Sequence, residues 1–163
     1  MILQSKRLRL RHFTADDLDL ITDINNHPEC IRFNRWDSMS VEECKNNLGK
    51  WISAYEIHPA GCGVFCVENL DDEKIGMAFL TPLPSEGEFE IGFRLRRCHW
   101  KKGYATEISR AFLQYAKDTL HASALIGIVH KENLRSRKVF EKLNFSCTPH
   151  PDGGDGLIYR FEL

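Results

Sequence analysis

Two hydrophobic periods follow one another along this chain of 163 residues, and the point where they change limits the fold more than any other feature. Three short strand-like runs come first: Val64 to Glu68, Lys74 to Leu80 and Glu88 to Leu95. Asn69-Leu70-Asp71-Asp72 separates the first pair, and Pro82 and Pro84 end the second run. In the third run Phe89, Ile91, Phe93 and Leu95 share one face. Consecutive runs joined by short turns predict an antiparallel meander. From Tyr104 onward the spacing becomes helical. Tyr104, Ile108, Ala111, Phe112 and Tyr115 form a stripe that predicts a helix to about Thr119. An apolar strand, Ala124 to Val129, follows. A second helix, Leu134 to Leu143, turns Val139, Phe140 and Leu143 inward. Asn144 stands after it, where a left-handed residue commonly ends a helix.

The first third supplies one strand and two helices. Leu8, Leu10 and His12 alternate with Arg7, Arg9 and Arg11, a strand with one charged face. Thr14 opens a helix with Asp16 and Asp17 in its first turn and Leu18, Ile21 and Ile24 inward, ended by Asn25-Asn26-His27-Pro28. Ser40 and Glu43 form a capping box for a second helix. Its stripe is Val41, Cys44, Leu48, Trp51, Ile52 and Tyr55, broken by Pro59-Ala60-Gly61. Gly153 to Gly156 is a turn before a last strand, Leu157 to Phe161. The order βααβββαβαβ predicts an α/β (α+β) protein forming a single domain over residues 1–163.

A formal net charge of −1 gives no reason to expect nucleic acid or an anionic membrane as partner. No apolar run approaches the roughly 18–20 residues that span a bilayer. The stretch from Met1 to Arg11 lacks a signal peptide's apolar centre, so a cytoplasmic location is expected. Cys30, Cys44, Cys62, Cys66, Cys98 and Cys147 contain no CxxC pair and are expected to be small buried hydrophobes, with no metal bound.

The chemistry concentrates between Phe93 and Glu107, where a strand passes into a helix. Free N–H groups at a helix start favour an anion. Gly103 lets a ligand approach the backbone, Ala105 keeps the first turn slim, Lys101 and Lys102 add charge, and Thr106 offers a hydroxyl. The segment fits a pyrophosphate nest without a Walker or dinucleotide motif, though taken alone it also fits a solvated loop. Further on, Asn133 stands as a helix N-cap with Ser136 one turn in.

Taken together, these segments resemble the GNAT acetyltransferase superfamily, and most closely its ribosomal-protein N-terminal acetyltransferase (Rim-type) branch. Arg7-Leu8-Arg9-Leu10-Arg11, Glu90-Ile91-Gly92-Phe93, Trp100 to Glu107, and Asn133-x-x-Ser136 through Phe145 carry the resemblance, in order and over nearly the whole chain. It implies a mixed, mostly antiparallel central sheet flanked by helices, with the fourth and fifth strands splayed. It also implies acetyl-CoA as co-substrate, no metal, and an amine acceptor, on a monomer or homodimer. The backbone of Phe93, Arg94 and Leu95 would then hold the pantetheine arm, with a backbone N–H near Phe93 polarising the thioester carbonyl. The amides of Trp100, Lys101, Lys102, Gly103, Tyr104, Ala105 and Thr106 would hold the pyrophosphate. Asn133 and Ser136 would approach the cofactor from the other side.

Three residues depart from the pattern. Lys101 and Asn144 stand where glycine is usual, and Phe140 stands near the tyrosine that protonates the departing thiolate in many of these enzymes. Ser136 is therefore the candidate acid and Glu90 the candidate base acting through water, ahead of His99, His121 and His130. Trp36 and Trp51 are candidates for the acceptor side or for plain core packing. Two rival readings are a non-catalytic acyl-CoA-binding module on the same fold and a metal or redox protein using the cysteines.

Overall fold

A computed structural model describes residues 3–34, 37–57 and 61–163. Pro59, Ala60 and Trp36, named above, lie outside them. The strands are β1 (Leu3–Gln4), β2 (Leu8–His12), β3 (Gly63–Asn69), β4 (Lys74–Pro82), β5 (Glu88–Leu95), β6 (Ala124–His130), β7 (Ser146–Pro149) and β8 (Gly156–Glu162). The helices are α1 (Leu18–Asn26), α2 (Pro28–Ile31), α3 (Val41–Ala54), α4 (Tyr104–Asp118) and α5 (Leu134–Lys142). The strands form one sheet in the order β1-β2-β3-β4-β5-β6-β8-β7. Every neighbouring pair is antiparallel except β5–β6.

Alternation along the strands builds two cores. Leu8, Leu10, Phe65, Val67, Ala78, Leu80, Ile91 and Leu95 meet Ile108, Phe112 and Ala116 of α4 and Phe140 of α5 on one face. Cys66 and Met77 meet Leu20, Ile21 and Ile24 of α1 and Cys44 and Leu48 of α3 on the other. Each fully buried aliphatic or aromatic side chain contributes about 1.5–3 kcal/mol of transfer free energy.

Several expectations are corrected. Thr14 opens a 3-10 turn, Ala15–Asp17, and α1 follows it. His27 and Pro28 end α1 and also start α2, with His27 Nδ1 accepting from the Glu29 amide and Pro28 in the first turn, where its missing N–H costs nothing. β1 and β7 are too short to leave a period in the sequence. Val41 is 59% exposed in the first turn of α3, and His12 is exposed at the end of β2, stacked on Tyr55. Cys98 and Cys147 are exposed, unlike the buried Cys44, Cys62 and Cys66. Burial pushes the Cys30 thiol up to about 11 and the Cys66 thiol up to about 12, so both stay protonated near neutral pH. No cluster of metal-ligating side chains occurs among the described residues, and no helix is long and apolar enough to cross a membrane.

One polar cluster ties the N-terminal strand to the meander. Asp17, 1% exposed, takes a two-pronged contact from Arg11 (2.7 and 2.9 Å), one from the Thr14 amide (2.8 Å) and one from Lys74 (3.1 Å). Burial by itself would raise this carboxyl, but the Arg11, Thr14 and Lys74 donors outweigh it and hold it well below the usual carboxylate range. A depressed carboxylate stabilises the fold above its unfolded pKa of about 3.9, and that stability drains away as pH falls through the folded value. Asp17→Asn is therefore expected to cost on the order of 3 kcal/mol at pH 7. Its denaturation midpoint should then vary less than wild type between pH 5 and pH 2, as read by urea titration.

Candidate active site

The site begins where one ladder stops. β5 is paired to β4 along its length, from Phe89↔Pro82 to Leu95↔Gly76, and β6 is paired to β8 from Ala124↔Glu162 to His130↔Gly156. Between β5 and β6 the pairing covers only Glu88↔Ala124, Phe89↔Leu125 and Glu90↔Ile126. Beyond Glu90 the strands part, and β5 runs on to Leu95 with no strand partner on that side among the described residues. These are the fourth and fifth strands of the sequence reading, shifted by one because β1 precedes them. Phe140 of α5 packs over Gly127 of β6 on the α4–α5 face, 6.1 Å from Phe93 between ring centroids and 5.3 Å from Tyr159.

The open strand leads through a 3-10 turn, Arg97–His99, into the start of α4. Gly103 is the N-cap residue at φ +82° and makes no side-chain cap, whereas Ser40 caps α3 and Asn133 Oδ1 accepts from the Ser136 amide (3.3 Å) to cap α5. The first helical bond of α4 runs from the Glu107 amide to the Gly103 carbonyl (3.1 Å), so the amides of Tyr104, Ala105 and Thr106 precede the helical ladder. Lys101, Lys102 and Gly103 are exposed around them. Lys101 has φ +63°, the backbone region that explains why glycine is usual there.

The loop is held from three sides by side-chain contacts that the sequence reading did not assign. Glu107 accepts from the Ser5 hydroxyl (2.7 Å), the Arg7 amide (2.8 Å) and Arg7 Nε (2.7 Å), while Arg7 Nη1 donates to the Lys102 carbonyl (3.1 Å). The Trp100 indole N–H donates to the Leu95 carbonyl (2.8 Å), and its ring lies between the guanidinium groups of Arg97 and Arg135, 4.8 and 4.5 Å away. Glu29 bridges those two arginines, at 2.7 and 3.8 Å. His99, 4% exposed, sits 3.3 Å from Glu73, and burial holds it below its ordinary value. Only the charge run in Arg7 to Arg11 hinted at any of this.

The other candidates separate. Glu88 pairs with Arg160 at 2.8 Å, and Glu90 stands at the vertex of the parting, in the last β5–β6 pair. The Trp100 amide is spent on the Arg97 carbonyl, and the Leu95 carbonyl on Trp100 and Cys30. Arg94 sends its side chain to the α1–α3 face. Ser136 is half-buried in the first turn of α5. The Tyr159 hydroxyl is bound to Glu141 (2.9 Å) and Arg137 (3.2 Å), and the Tyr55 hydroxyl to the Phe13 amide and the Val64 carbonyl, so neither replaces the hydroxyl that Phe140 lacks. His130 accepts the Glu132 amide through Nδ1 (3.2 Å) and faces Asp155 at 3.7 Å. His121 is exposed at the end of α4.

Comparison with known proteins shows the family. A sequence model of the acetyltransferase (GNAT) domain family matches residues 7–146, so the chain belongs to that family and is an acyltransferase. An uncharacterized N-acetyltransferase, p20, of Bacillus licheniformis is 25% identical over 161 residues, covering 98% of this chain and 86% of that protein. In fold, the chain is similar to a GNAT-family acetyltransferase from Bacillus anthracis, with TM-score 0.81, 21% identity and coverage of 100% and 98%. It is likewise similar to RimL, a ribosomal L7/L12 α-N-protein acetyltransferase solved with coenzyme A, with TM-score 0.82, 15% identity and coverage of 99% and 97%.

The left-handed residue in the loop gives a direct test of its backbone. Lys101→Gly should raise stability by up to about 1 kcal/mol, because a side chain in that region costs roughly 1–2 kcal/mol that glycine avoids, less the extra freedom of the unfolded chain. Lys101→Val should lower it. Guanidinium midpoints of the two variants check the sign.

Proposed function

We propose that this protein transfers the acetyl group of acetyl-CoA to a primary amine, on a small molecule or a protein N-terminus, as one domain spanning residues 1–163 and acting in the cytoplasm. The observation that carries this reading is the continuity of β5. Its unpaired edge beyond Glu90 passes directly into the uncapped start of α4, so one stretch of chain offers backbone donors for an extended amide arm and then for a diphosphate. The same residues fit acetyl-CoA in charge, since Lys101, Lys102 and Arg7 surround the α4 amides.

When bound, the co-substrate supplies an acetyl thioester as the electrophile. The backbone of Phe93 and Arg94 holds its arm, the amides from Lys101 to Thr106 hold its diphosphate, and Asn133 can still offer Nδ2, since its Oδ1 is committed to the cap. A donor at the Phe93 amide aimed at the acyl oxygen is worth roughly 3–4 kcal/mol. Holding two reactants in line is worth about 7–11 kcal/mol at best, so positioning outweighs any single acid or base.

The amine must arrive neutral. At pH 7 that costs about 1 kcal/mol for an N-terminal amine and about 4–5 kcal/mol for a lysine-like one. Glu90 takes the amine's proton through water, and Ser136 passes a proton to the departing sulfur. An amide C–N bond forms, the C–S bond breaks, and the proton lost by nitrogen is balanced by the one gained at the thiol. A folded protein that binds acetyl-CoA yet releases no thiol with any amine would instead favour the non-catalytic binding module.

Gly103→Asp places a carboxylate among the diphosphate donors and should weaken acetyl-CoA binding at least about a hundredfold, read by calorimetry on the folded variant. An unchanged affinity removes the loop from the site. Glu90→Gln should lower kcat by about 10²-fold near pH 7 and by less at pH 9, where more of the amine is already neutral. Ser136→Ala should reduce turnover without an equal loss of acetyl-CoA affinity. A flat pH effect in the first, or matched losses in the second, would reassign those residues to packing.

A further inference from the structure

On the sheet face covered by α1 and α3, an open cavity of about 400 Å³ lies against β5. Its walls include Trp51, Val64, Met77 and Phe79, with Asn25 and Arg94 among the polar contributors. The described lining residues include one cation, Arg94, and no carboxylate. The volume is in the range of small-molecule sites, and an apolar pocket with a few placed polar groups is their usual composition.

Three observations make Arg94 more than a strand residue that has to be put somewhere. Asn25, 2% exposed, turns its carbonyl oxygen to Arg94 Nη1 at 3.3 Å and its amide nitrogen away toward Cys44, so α1 orients the guanidinium. Arg94 is half-buried, and that burial pulls its group below its ordinary value while leaving it a cation. Finally, the cavity reaches the reacting strand. Phe79, one of its walls, lies so close over Gly92 that a β-carbon there would meet the ring at 2.3 Å, and Gly92 and Arg94 flank the Phe93 amide that the mechanism uses.

We propose that Arg94 anchors the carboxylate of the acceptor, so that the preferred amine is a free amino acid with an apolar side chain rather than a protein N-terminus. The assignment rests on the acetyltransferase reading above. A guanidinium presents paired N–H donors that match a carboxylate in two-pronged fashion, and the match is strongest where water is excluded. One guanidinium with neutral asparagines suits a monoanion, whereas a phosphate dianion would call for further cations. The apolar walls then receive the side chain, and the amine is left on the side of the parted strands.

The test compares phenylalanine and methionine with their carboxamides as acceptors, at equal concentrations of free amine, by thiol release from acetyl-CoA. Wild type should favour the acids by at least about tenfold in kcat/KM, and Arg94→Met should bring the ratio to near one. Equal or better use of the carboxamides, a ratio unchanged in Arg94→Met, or faster acetylation of a C-terminally amidated peptide would overturn the assignment. Calorimetric binding of N-acetylphenylalanine against its amide needs no turnover and no variant, and the acid should bind at least about fivefold tighter. Carboxylate-dependent binding without acetyl transfer to any amine would sink the acetyltransferase reading and leave the cavity assignment standing. Transfer without carboxylate preference would do the reverse.

Discussion

The parallel contact between β5 and β6 is only three residue pairs long, and the site follows from that limit. Each strand is already committed on its outer side, β5 to β4 and β6 to β8, over seven pairs each. Sheet twist turns the two halves apart, and the Phe140 ring packs against both of them, over Gly127 of β6 and beside Phe93 of β5. Buried backbone donors and acceptors must find partners. A strand edge that leaves them open in the middle of a sheet is suited to an extended ligand rich in amides.

That opening is useful only if its two ends are rigid. At one end Glu107 gathers Ser5 and Arg7 and thereby ties the loop after β1 to the first turn of α4. The Trp100 indole fixes the same loop to the end of β5, and Arg97 and Arg135 hold the ring between α5 and the loop through Glu29. The amides that precede the α4 ladder are thus set by packing, and preset donors lower the ordering cost of binding. Beside the vertex, Glu88 is paired with Arg160 of β8.

The two cores divide the labour. The α4–α5 face carries the larger apolar cluster, while the α1–α3 face carries a smaller cluster beside the Arg94 cavity. The Asp17–Arg11–Lys74 cluster joins the N-terminal strand and the start of α1 to β4. It supports the α1 helix from which Asn25 reaches Arg94, so stability on that face and the shape of the cavity are linked.

Most of the architecture was legible from periodicity, because buried faces repeat with the period of the element that carries them. β5 from Glu88 to Leu95, the helix beginning at Tyr104 and the left-handed Asn144 could be read in this way, as could the Ser40–Glu43 cap. The basic loop before an uncapped helix start was readable because it depends on local chain geometry, and the acetyltransferase family was readable from the resemblance of several motifs in order. The short strands β1 and β7 escaped, since two to four residues carry no period. Every contact that makes the loop rigid escaped too, as did the cavity at Arg94. Arg7 and Glu107 lie 100 residues apart, and Arg94 and Asn25 lie 69 apart. A sequence states which side chains can form ion pairs or hydrogen bonds, but only the closed sheet decides which of them meet and which are left facing a ligand.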